Sequence, residues 1–357
     1  MASGRFILCG TSKRRQSDDP SRARYPLSRS ATTEYSRRHF IRLAAGAALL
    51  PVSYHKAWAL DYPTRPVHII VGFAAGGPND IAARLIAQSL SQRLGQQFVV
   101  ENRPGAGSNM ATESVVNAES DGYTLLLVPA PAAINATLYH NLTFNFIRDI
   151  APIAGIVRVP EVMVVNPSVP ATTVGEFIAY AKANPGKINI ATAGNGTVPH
   201  VAGELFKYMT GVKLVTVGYR GGGPALVDLL AGQVQVMFEP TLSTLPHVKA
   251  GKLRALAVTS AQRSEVLPDV PALNEFVPGY EATAWFGIGA PRNVPTEIIA
   301  RLNREVNASL ADAKLKDQLT GLGGTPMPMS PQEFGALIVS ETDKWAKVIK
   351  FAGIKVD

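Results

Sequence analysis

The chain has 357 residues, a formal net charge of +8 and a single cysteine. Residues 1–59 hold eleven Lys/Arg and three Asp/Glu, so they carry the whole excess and leave 24 basic and 24 acidic residues in the main body, 60–357. A balanced main body lacks the concentrated basic face of nucleic-acid binding proteins, and we expect no nucleic-acid partner. Because Cys9 lies in the first segment, the composition also excludes disulfides and thiolate chemistry from the main body.

The first 59 residues have the features of an export leader. Residues 1–35 are polar and rich in Arg and Ser, which is typical of a disordered extension or of an over-long start. In residues 36–59 the pair Arg37-Arg38 precedes a short apolar run and the small residues around Ala59. This pattern predicts a twin-arginine (Tat) signal peptide that is cleaved after Ala59, and therefore a periplasmic product. A membrane anchor is disfavoured because the apolar run has about half of the ~20 residues that a spanning helix needs.

The main body begins with its most informative stretch, residues 67–87. A run of strand-forming residues, 67–71, leads into a glycine-rich loop and then into Pro78 and a 3.6-residue apolar pattern. A strand–loop–helix junction of this kind presents free backbone N–H groups and the positive end of the helix dipole, which favour an anion. Glycines in the loop allow close approach of a ligand to the backbone. The stretch therefore predicts a carboxylate or phosphate site.

The same strand, loop and helix pattern recurs along the chain. Strands separated by helix-length segments indicate right-handed βαβ units, whose ligand crevice lies beyond the carboxyl ends of the strands. The predicted strands are 97–101, 123–128, 161–165, 188–191, 213–217, 234–238, 254–258 and 285–290. The predicted helices after the first are 110–118, 173–183, 225–231, 295–310 and 331–350. Glycine-rich loops at 102–109 and 218–224 precede two of these helices, and a third glycine-rich loop, 192–200, leads into a further predicted helix that starts near Pro199.

The main body is long for one core and suits two domains. We expect the chain to cross between two lobes near residue 160 and again near 285, which is the usual hinge of a closing receptor. The predicted boundaries place lobe 1 at 60–162 and 285–357 and lobe 2 at 163–284. The predicted fold class is α/β, with two lobes and parallel or mixed sheets.

Nine motifs in this order closely resemble the solute receptors of tripartite tricarboxylate transporters, also called Bug or TctC-type receptors. They lie at 62–66, 73–80, 100–107, 121–126, 193–200, 219–221, 250–259, 268–271 and 285–287, so the resemblance spans residues 62–354. It implies a periplasmic-binding-protein fold of type II that closes like a Venus flytrap around a small carboxylate. The ligand would be a di- or tricarboxylate, an acidic amino acid or an aromatic acid. The resemblance further implies a monomer without enzymatic activity, cofactor or metal, which passes its ligand to the integral membrane subunits of a transporter.

In the family the carboxylate is held mainly by backbone amides of the first loop and of loops in the second lobe. Carried over by this resemblance, the expected binding residues are Phe73, Ala75, Gly76, Gly77, Pro78, Asn79, Asp80, Ala193, Gly194, Asn195, Gly196, Thr197, Tyr219 and Arg220. The sequence departs from the family pattern at Asn79, where Thr or Ser is usual, and at the stiffer segment 129–131.

Some side chains have alternative interpretations. Arg103, before Pro-Gly, suits a loop-bracing role better than ligand binding, whereas Arg220 beside three glycines is the better candidate for an anion. His200 suits packing or hydrogen bonding. Two rival functions remain open at this level: a ligand sensor for a membrane kinase, and a secreted hydrolase or isomerase that uses Ser108 or His200. The second lacks a nucleophile elbow, because Met110 stands where a glycine is required.

Overall fold

The computed structural model describes residues 61–355. The predicted extension 1–35 and the predicted signal peptide 36–59 with its cleavage site at Ala59 lie outside the described residues. Ten strands run β1 (Val67–Val71), β2 (Phe98–Asn102), β3 (Thr124–Pro129), β4 (Ile150–Val165), β5 (Asn189–Thr192), β6 (Val215–Gly218), β7 (Val236–Pro240), β8 (Arg254–Val258), β9 (Thr283–Pro291) and β10 (Thr325–Pro326).

Eleven α-helices alternate with these strands in the described part of the chain. They are α1 (Pro78–Leu94), α2 (Asn109–Val116), α3 (Pro131–Leu138), α4 (Phe146–Asp149), α5 (Val174–Ala183), α6 (Val198–Thr210), α7 (Gly222–Leu230), α8 (Thr241–Lys249), α9 (Thr296–Ala311), α10 (Ala313–Gly321) and α11 (Pro331–Ala352). Short 3₁₀ turns occur at Ala106–Ser108 and Leu273–Glu275.

The strands pair in the order β2-β1-β3-β9-β4-β7-β5-β6, with β8 and β10 also paired to β4. On the first side, β2, β1 and β3 are parallel, while β9 and β4 are antiparallel to their neighbours. On the second side, β5 lies parallel to β6 and β7, and β7 and β8 are antiparallel to β4. We call these the first and the second sheet. The carboxyl ends of β1 and β2 are at one edge of the first sheet, and those of β5 and β6 are at one edge of the second.

A single strand, β4, takes part in both sheets. Its residues from Ile150 to Pro160 pair with β9, and its residues from Glu161 to Val165 pair with β7 and β8. The chain returns to the first sheet between Thr259 and Thr283, where Thr259 donates its N–H to Glu161 O and Ala282 donates to Thr259 O. Both passages between the sheets are therefore hydrogen-bonded to each other around Glu161.

Buried apolar side chains explain why these segments pair. Residues of β1 and β3 are almost wholly buried, as expected for central strands that are covered on both faces. Trp285 at the start of β9 is fully buried, and its indole N–H donates to Glu341 on α11 at 3.2 Å. The C-terminal helix thus packs on the strand that joins β3 to β4.

The predicted elements differ from the structure in two ways. The predicted strand 161–165 is the end of the much longer β4, whose first part was not predicted. The helices α3, α4, α8 and α10 were also missed. The segment 129–131, interpreted as a stiff loop, starts α3 instead, because Pro131 stands in the first turn, where a missing N–H costs nothing.

Candidate ligand-binding cleft

A cavity of about 310 Å³ lies where loops from the two sheets meet. This volume suits a small organic ligand, since small-molecule sites begin at about 300 Å³. Loops after β1 and β2 form one side, loops after β5 and β6 form the other, and Tyr139, just after α3, also contributes to the lining. The lining residues are Gly72, Phe73, Gly105, Ala106, Gly107, Tyr139, Ala193, Gly194, Asn195, Gly218, Tyr219 and Arg220.

The loop after β1 is held by a carboxylate in the first turn of α1. Asp80 is buried and accepts hydrogen bonds from the Gly76 N–H at 3.1 Å and from Arg84 Nε at 2.9 Å. Burial opposes ionisation of Asp80, but the hydrogen bonds from Arg84, Gly76 and Asn102 outweigh it and lower the pKa of the carboxyl. Asn102 also donates to Phe73 O at 2.9 Å. Asp80 is therefore ionised, paired and occupied with the loop itself.

The loop after β5 is held in a similar way by His200. The side chain of Thr197 caps α6 by accepting from the His200 N–H, and donates to Gly194 O at 2.6 Å. The ring nitrogen Nδ1 of His200 accepts from the Gly196 N–H at 3.4 Å. Burial lowers the pKa of His200, against an opposite effect of Glu204, so the ring is kept neutral and able to accept. This agrees with the hydrogen-bonding role expected of His200.

The loop after β2 contains unusual backbone conformations. Ala106 and Ser108 have positive φ angles of 47° and 79°. Asn135 on α3 supports the loop by donating to Gly107 O at 2.8 Å. Strained backbone of this kind concentrates at ligand-binding sites, since the surrounding structure must hold it in place.

The loops of the two sheets are in direct contact across the cleft. Ala74 N–H donates to Arg220 O at 2.9 Å, and Tyr139 Oη donates to Asn195 O at 3.4 Å. Gly107 lies so close to the second sheet that a Cβ there would be 2.6 Å from Asn195 O. The structure is thus a closed arrangement of the cleft.

The cavity has the electrostatic character of an anion site. Arg220 is the one charged residue among those that line it, and its guanidinium makes no hydrogen bond or ion pair with another described residue. The backbone N–H groups of Phe73, Asn195 and Arg220 likewise donate no hydrogen bond within residues 61–355. Unpartnered donors beside a free cation favour a carboxylate or another small anion.

Tyr219 contributes to the wall of the cavity more than to its charge. Its hydroxyl donates to Asp228 on α7 at 2.7 Å. Burial, together with this bond to Asp228, raises the pKa of Tyr219 to about 12. The phenol is therefore neutral, and its ring direction is fixed by α7.

The structure divides the expected binding residues into three groups. Those that line the cavity are Phe73, Ala193, Gly194, Asn195, Tyr219 and Arg220. Those that line a smaller adjoining cavity, which also touches Phe73 and Ala193, are Pro78, Asn79 and Thr197. Those that line neither are Ala75, Gly76, Gly77, Asp80 and Gly196. For four of these five the structure shows supporting roles: Asp80 and the N–H groups of Gly76 and Gly196 hold the loops, and Gly77 caps α1 beside Gly223.

Four parts of the lining were absent from the predicted set: Gly72, the loop Gly105–Gly107, Tyr139 and Gly218. The loop Gly105–Gly107 was recognised as glycine-rich, but it was not assigned to the site. Tyr139 directly follows α3, a helix that was not predicted at all. The available signal in the sequence for the loop Gly105–Gly107 was that the predicted strands before it and before the first loop end at the same sheet edge.

Other residues considered from sequence have structural partners. Arg103 pairs with Glu101 at 2.7 Å and does not line the cavity, which fits the bracing role. Residues 61–355 contain no group of three or more His, Cys, Asp or Glu side chains arranged to hold a metal ion. None of the helices in this described range has both the length and the apolar character needed to cross a membrane.

Comparison with known proteins identifies the family. Residues 82–354 match the family model described as the tripartite tricarboxylate transporter family receptor, TctC. BugT of Bordetella pertussis is 36% identical over 319 residues, which cover 88% of this chain and 96% of BugT. These matches confirm the resemblance expected from the nine motifs. The family consists of solute-binding receptors and not of enzymes.

Solved structures confirm the periplasmic-binding-protein fold. An R. palustris protein solved with adipate is 38% identical with a TM-score of 0.80, covering 82% of this chain and 99% of its own. The periplasmic binding protein BugD is 36% identical with a TM-score of 0.80, covering 82% and 99%. MatC from Rhodopseudomonas palustris, solved with bound malate, is 32% identical with a TM-score of 0.77, covering 81% and 100%.

Proposed function

This chain belongs to the tripartite tricarboxylate transporter receptor family, and from that premise we propose that it captures a small carboxylate in the cleft and delivers it to the integral membrane subunits of such a transporter. The observation that carries the proposal is the donor set of the cavity. It combines the free Arg220 guanidinium with the unpartnered N–H groups of Phe73 and Asn195. Among residues 61–355, no Asp or Glu lines the cavity, where it would repel an anion.

In this proposal the backbone amides replace the hydration that the carboxylate loses. An anion in a closed cleft needs donors in place of water, since an unpaired buried charge is costly. Loops fixed by Asp80 and His200 supply these donors without further ordering, which limits the entropic cost of binding. Arg220 adds the compensating charge.

The proposed ligand class rests on relatives whose structures were solved with a bound ligand. The solved relatives hold adipate and malate, which are both small dicarboxylates. The cavity of about 310 Å³ is of a size to take molecules of this class. We therefore propose a dicarboxylate as the first ligand to test, with tricarboxylates, acidic amino acids and aromatic acids as further members of the panel.

The remaining expectations from sequence fit this function as proposals. Export by the Tat route with cleavage after Ala59 would place the receptor in the periplasm. Lobes at 60–162 with 285–357 and at 163–284 would close around the ligand, with β4 as one of the two passages between them.

A thermal-shift screen of the purified protein tests the proposal. The panel contains adipate, malate, citrate, glutamate and benzoate, with inorganic phosphate and glucose as controls. At 100 times its dissociation constant a ligand adds about 2.7 kcal/mol, which raises the Tm by a few degrees in a protein of this size. Stabilisation by carboxylates alone is the expected result, and a response only to phosphate or glucose would contradict it.

Delivery to a transporter needs a separate test. Uptake of the stabilising carboxylate is measured in a strain without the receptor gene, with and without a plasmid copy. We expect uptake to be restored by the plasmid. Unchanged uptake together with tight binding would point to a sensing role.

A further inference from the structure

Two glutamates are completely buried directly beneath the cleft. Glu161 on β4 and Glu239 on β7 have no exposed surface, and the two strands pair side by side at these positions. Glu161 is also the residue at which β4 passes from the first sheet to the second. Carboxyl groups are rarely buried unless they are paired, so this pair needs a physical explanation.

Three of the four carboxyl oxygens have no hydrogen-bond partner within residues 61–355. Neither oxygen of Glu161 accepts or donates a hydrogen bond within the described residues, and only one oxygen of Glu239 does, accepting from Ser243 Oγ at 3.1 Å. Asn79 Oδ1, at the start of α1, is also buried and unpartnered. All three residues line one cavity of about 20 Å³, which is room for about one water molecule.

The walls of this small cavity come from both sheets. Phe73, Asn79 and Phe286 belong to the first sheet and its connections, whereas Ala193 and Gly222 belong to the second. Phe73 and Ala193 line the cleft as well. Gly222 packs so closely on Glu239 that a Cβ there would overlap its carboxyl group. If the sheets separate at the cleft, the same movement admits water to both glutamates.

The surroundings favour the neutral form of both carboxyl groups. Burial raises the pKa of Glu239 to about 8, and burial together with the nearby Glu239 raises the pKa of Glu161 well above its usual range. The other ionisable group that interacts with the pair is the phenol of Tyr280, which is itself neutral. Apart from the two glutamates, no cavity-lining residue from any of the surrounding elements is titratable, and no lysine, arginine or histidine pairs with either carboxyl group within residues 61–355.

We propose that Glu161 and Glu239 form a proton-binding site that couples closure of the cleft, and hence capture of the carboxylate, to pH. In the closed form both side chains are carboxylic acids. In the open form water reaches them and they ionise. Closing therefore takes up to two protons from solvent, one for each carboxylate. The coupling of pH to ligand capture rests on the proposed function, because the carboxylate binds to the closed cleft.

The sign of the effect follows from linkage. A carboxyl group whose pKa is higher in the closed form favours that form below its open-form pKa and stops favouring it as pH rises towards its closed-form pKa. Each group can weaken binding by up to about tenfold per pH unit between the two pKa values. We expect the dissociation constant to rise at least tenfold from pH 6.5 to 8.5.

Isothermal titration calorimetry with adipate and malate tests the coupling at pH 6.5, 7.5 and 8.5, where both ligand carboxyls are ionised. Measurements in two buffers of different ionisation enthalpy give the protons taken up. Wild type should take up protons at pH 7.5 and bind more weakly at pH 8.5. The variant Glu161→Gln/Glu239→Gln should show neither effect, since its amides are neutral at every pH. The exposed Glu119→Gln is the matched control and should behave as wild type.

A second measurement does not depend on the ligand. Small-angle scattering of the ligand-free protein follows its radius of gyration over the same pH range, and we expect expansion at high pH in wild type but not in the double variant. A pH-dependent expansion without binding of any carboxylate would overturn the proposed function and leave the coupling of closure to pH standing. Tight binding with no proton uptake, and with pH profiles that wild type and double variant share, would overturn the inference alone.

Discussion

Two strand–loop–helix junctions, the first after β1 and the second after β5, face each other across the cleft. They have the same backbone arrangement but different chemistry. In each, a loop glycine donates its N–H to a side chain four residues later, in the first turn of the next helix. Gly76 donates to the Asp80 carboxylate, and Gly196 donates to the neutral ring of His200. The first acceptor is charged and paired with Arg84, whereas the second is kept neutral by burial.

This difference shows what an anion site requires of its supporting residues. A loop can be held by any acceptor of suitable geometry, but an unpaired negative charge near the cleft would repel the ligand. Arg84 compensates the charge of Asp80, and His200 brings none. Both junctions therefore support their loop without adding net negative charge to the cavity.

The largest expected effect is on carboxylate affinity and comes from filling the space next to Gly196, in the loop after β5. In Gly196→Ala the new Cβ would overlap Asn135 Oδ1 across the cleft, so we expect carboxylate affinity to fall at least a hundredfold, about 2.7 kcal/mol. Gly186→Ala is the matched control, because its φ of 72° is close to the 75° of Gly196 and its Cβ would meet no atom of residues 61–355 within 4 Å. Both variants should lose about 1 kcal/mol of stability, while calorimetry should find weakened binding only in the first. If both variants bind the carboxylate equally well, closure does not require the close approach of Gly196 to Asn135.

Removal of the Asp80 carboxylate, which holds the loop after β1, should have the next largest effect. Asp80→Ala takes away the acceptor of Gly76 and the ion-pair partner of Arg84, so we expect the free energy of unfolding to fall by about 2 kcal/mol. Urea denaturation measures this change. Asp80→Asn keeps an oxygen for the Gly76 N–H and should lose about half as much. Identical losses in the two variants would mean that the charge, and not the hydrogen bond, holds the loop.

The neutral ring of His200, which holds the loop after β5, predicts the direction in which stability changes with pH. Because burial lowers the pKa of His200, the unfolded chain binds a proton more readily than the folded protein does. The stability that His200 contributes is thus present above the ordinary histidine pKa of about 6.5 and is lost as pH falls below it. Compared with His200→Gln, wild type should lose up to about 1.4 kcal/mol more per pH unit between pH 6.5 and 5 in urea denaturation. Parallel profiles would argue against a neutral, buried ring.

The smallest expected effect is on carboxylate binding and distinguishes the roles of Arg220 and Arg103. Within the described part of the chain Arg220 lines the cavity without a partner, whereas Arg103 is paired with Glu101 outside it. We expect Arg220→Ala to weaken carboxylate binding about fivefold, near 1 kcal/mol, and Arg103→Ala to leave it within about twofold. Calorimetry with adipate measures both. Unchanged binding in both variants would leave the backbone amides as the main carboxylate donors.

The two junctions were predictable from sequence because their signals are local. A β-branched strand, a glycine-rich loop and a proline in the first helical turn stand next to each other at both Pro78 and Pro199. The strand and helix boundaries there differ from the prediction by a few residues at most. The sequence also placed Arg220 and Tyr219 at the cleft, through the resemblance to the receptor family.

The rest depends on contacts between distant parts of the chain. Tyr139 reaches the cleft only because α3 packs beside the loop after β2, and no local pattern shows this. The predicted strands 161–165 and 234–238 begin at Glu161 and end just before Glu239, and neither local pattern indicates that these side chains are buried. Their common burial follows from the pairing of β4 with β7, which brings together residues far apart in sequence.

The pairing of β3 with β9 has a consequence for folding kinetics. Leu126 lies opposite Gly289, so the first sheet is completed by strands from widely separated parts of the chain. The strands of the second sheet, from Glu161 to Val258, are by contrast contiguous in sequence. Because loop closure costs entropy before distant contacts form, the second sheet has the kinetic advantage and the first is expected to close last. The β1 loop, made early in synthesis, therefore gains its final support late.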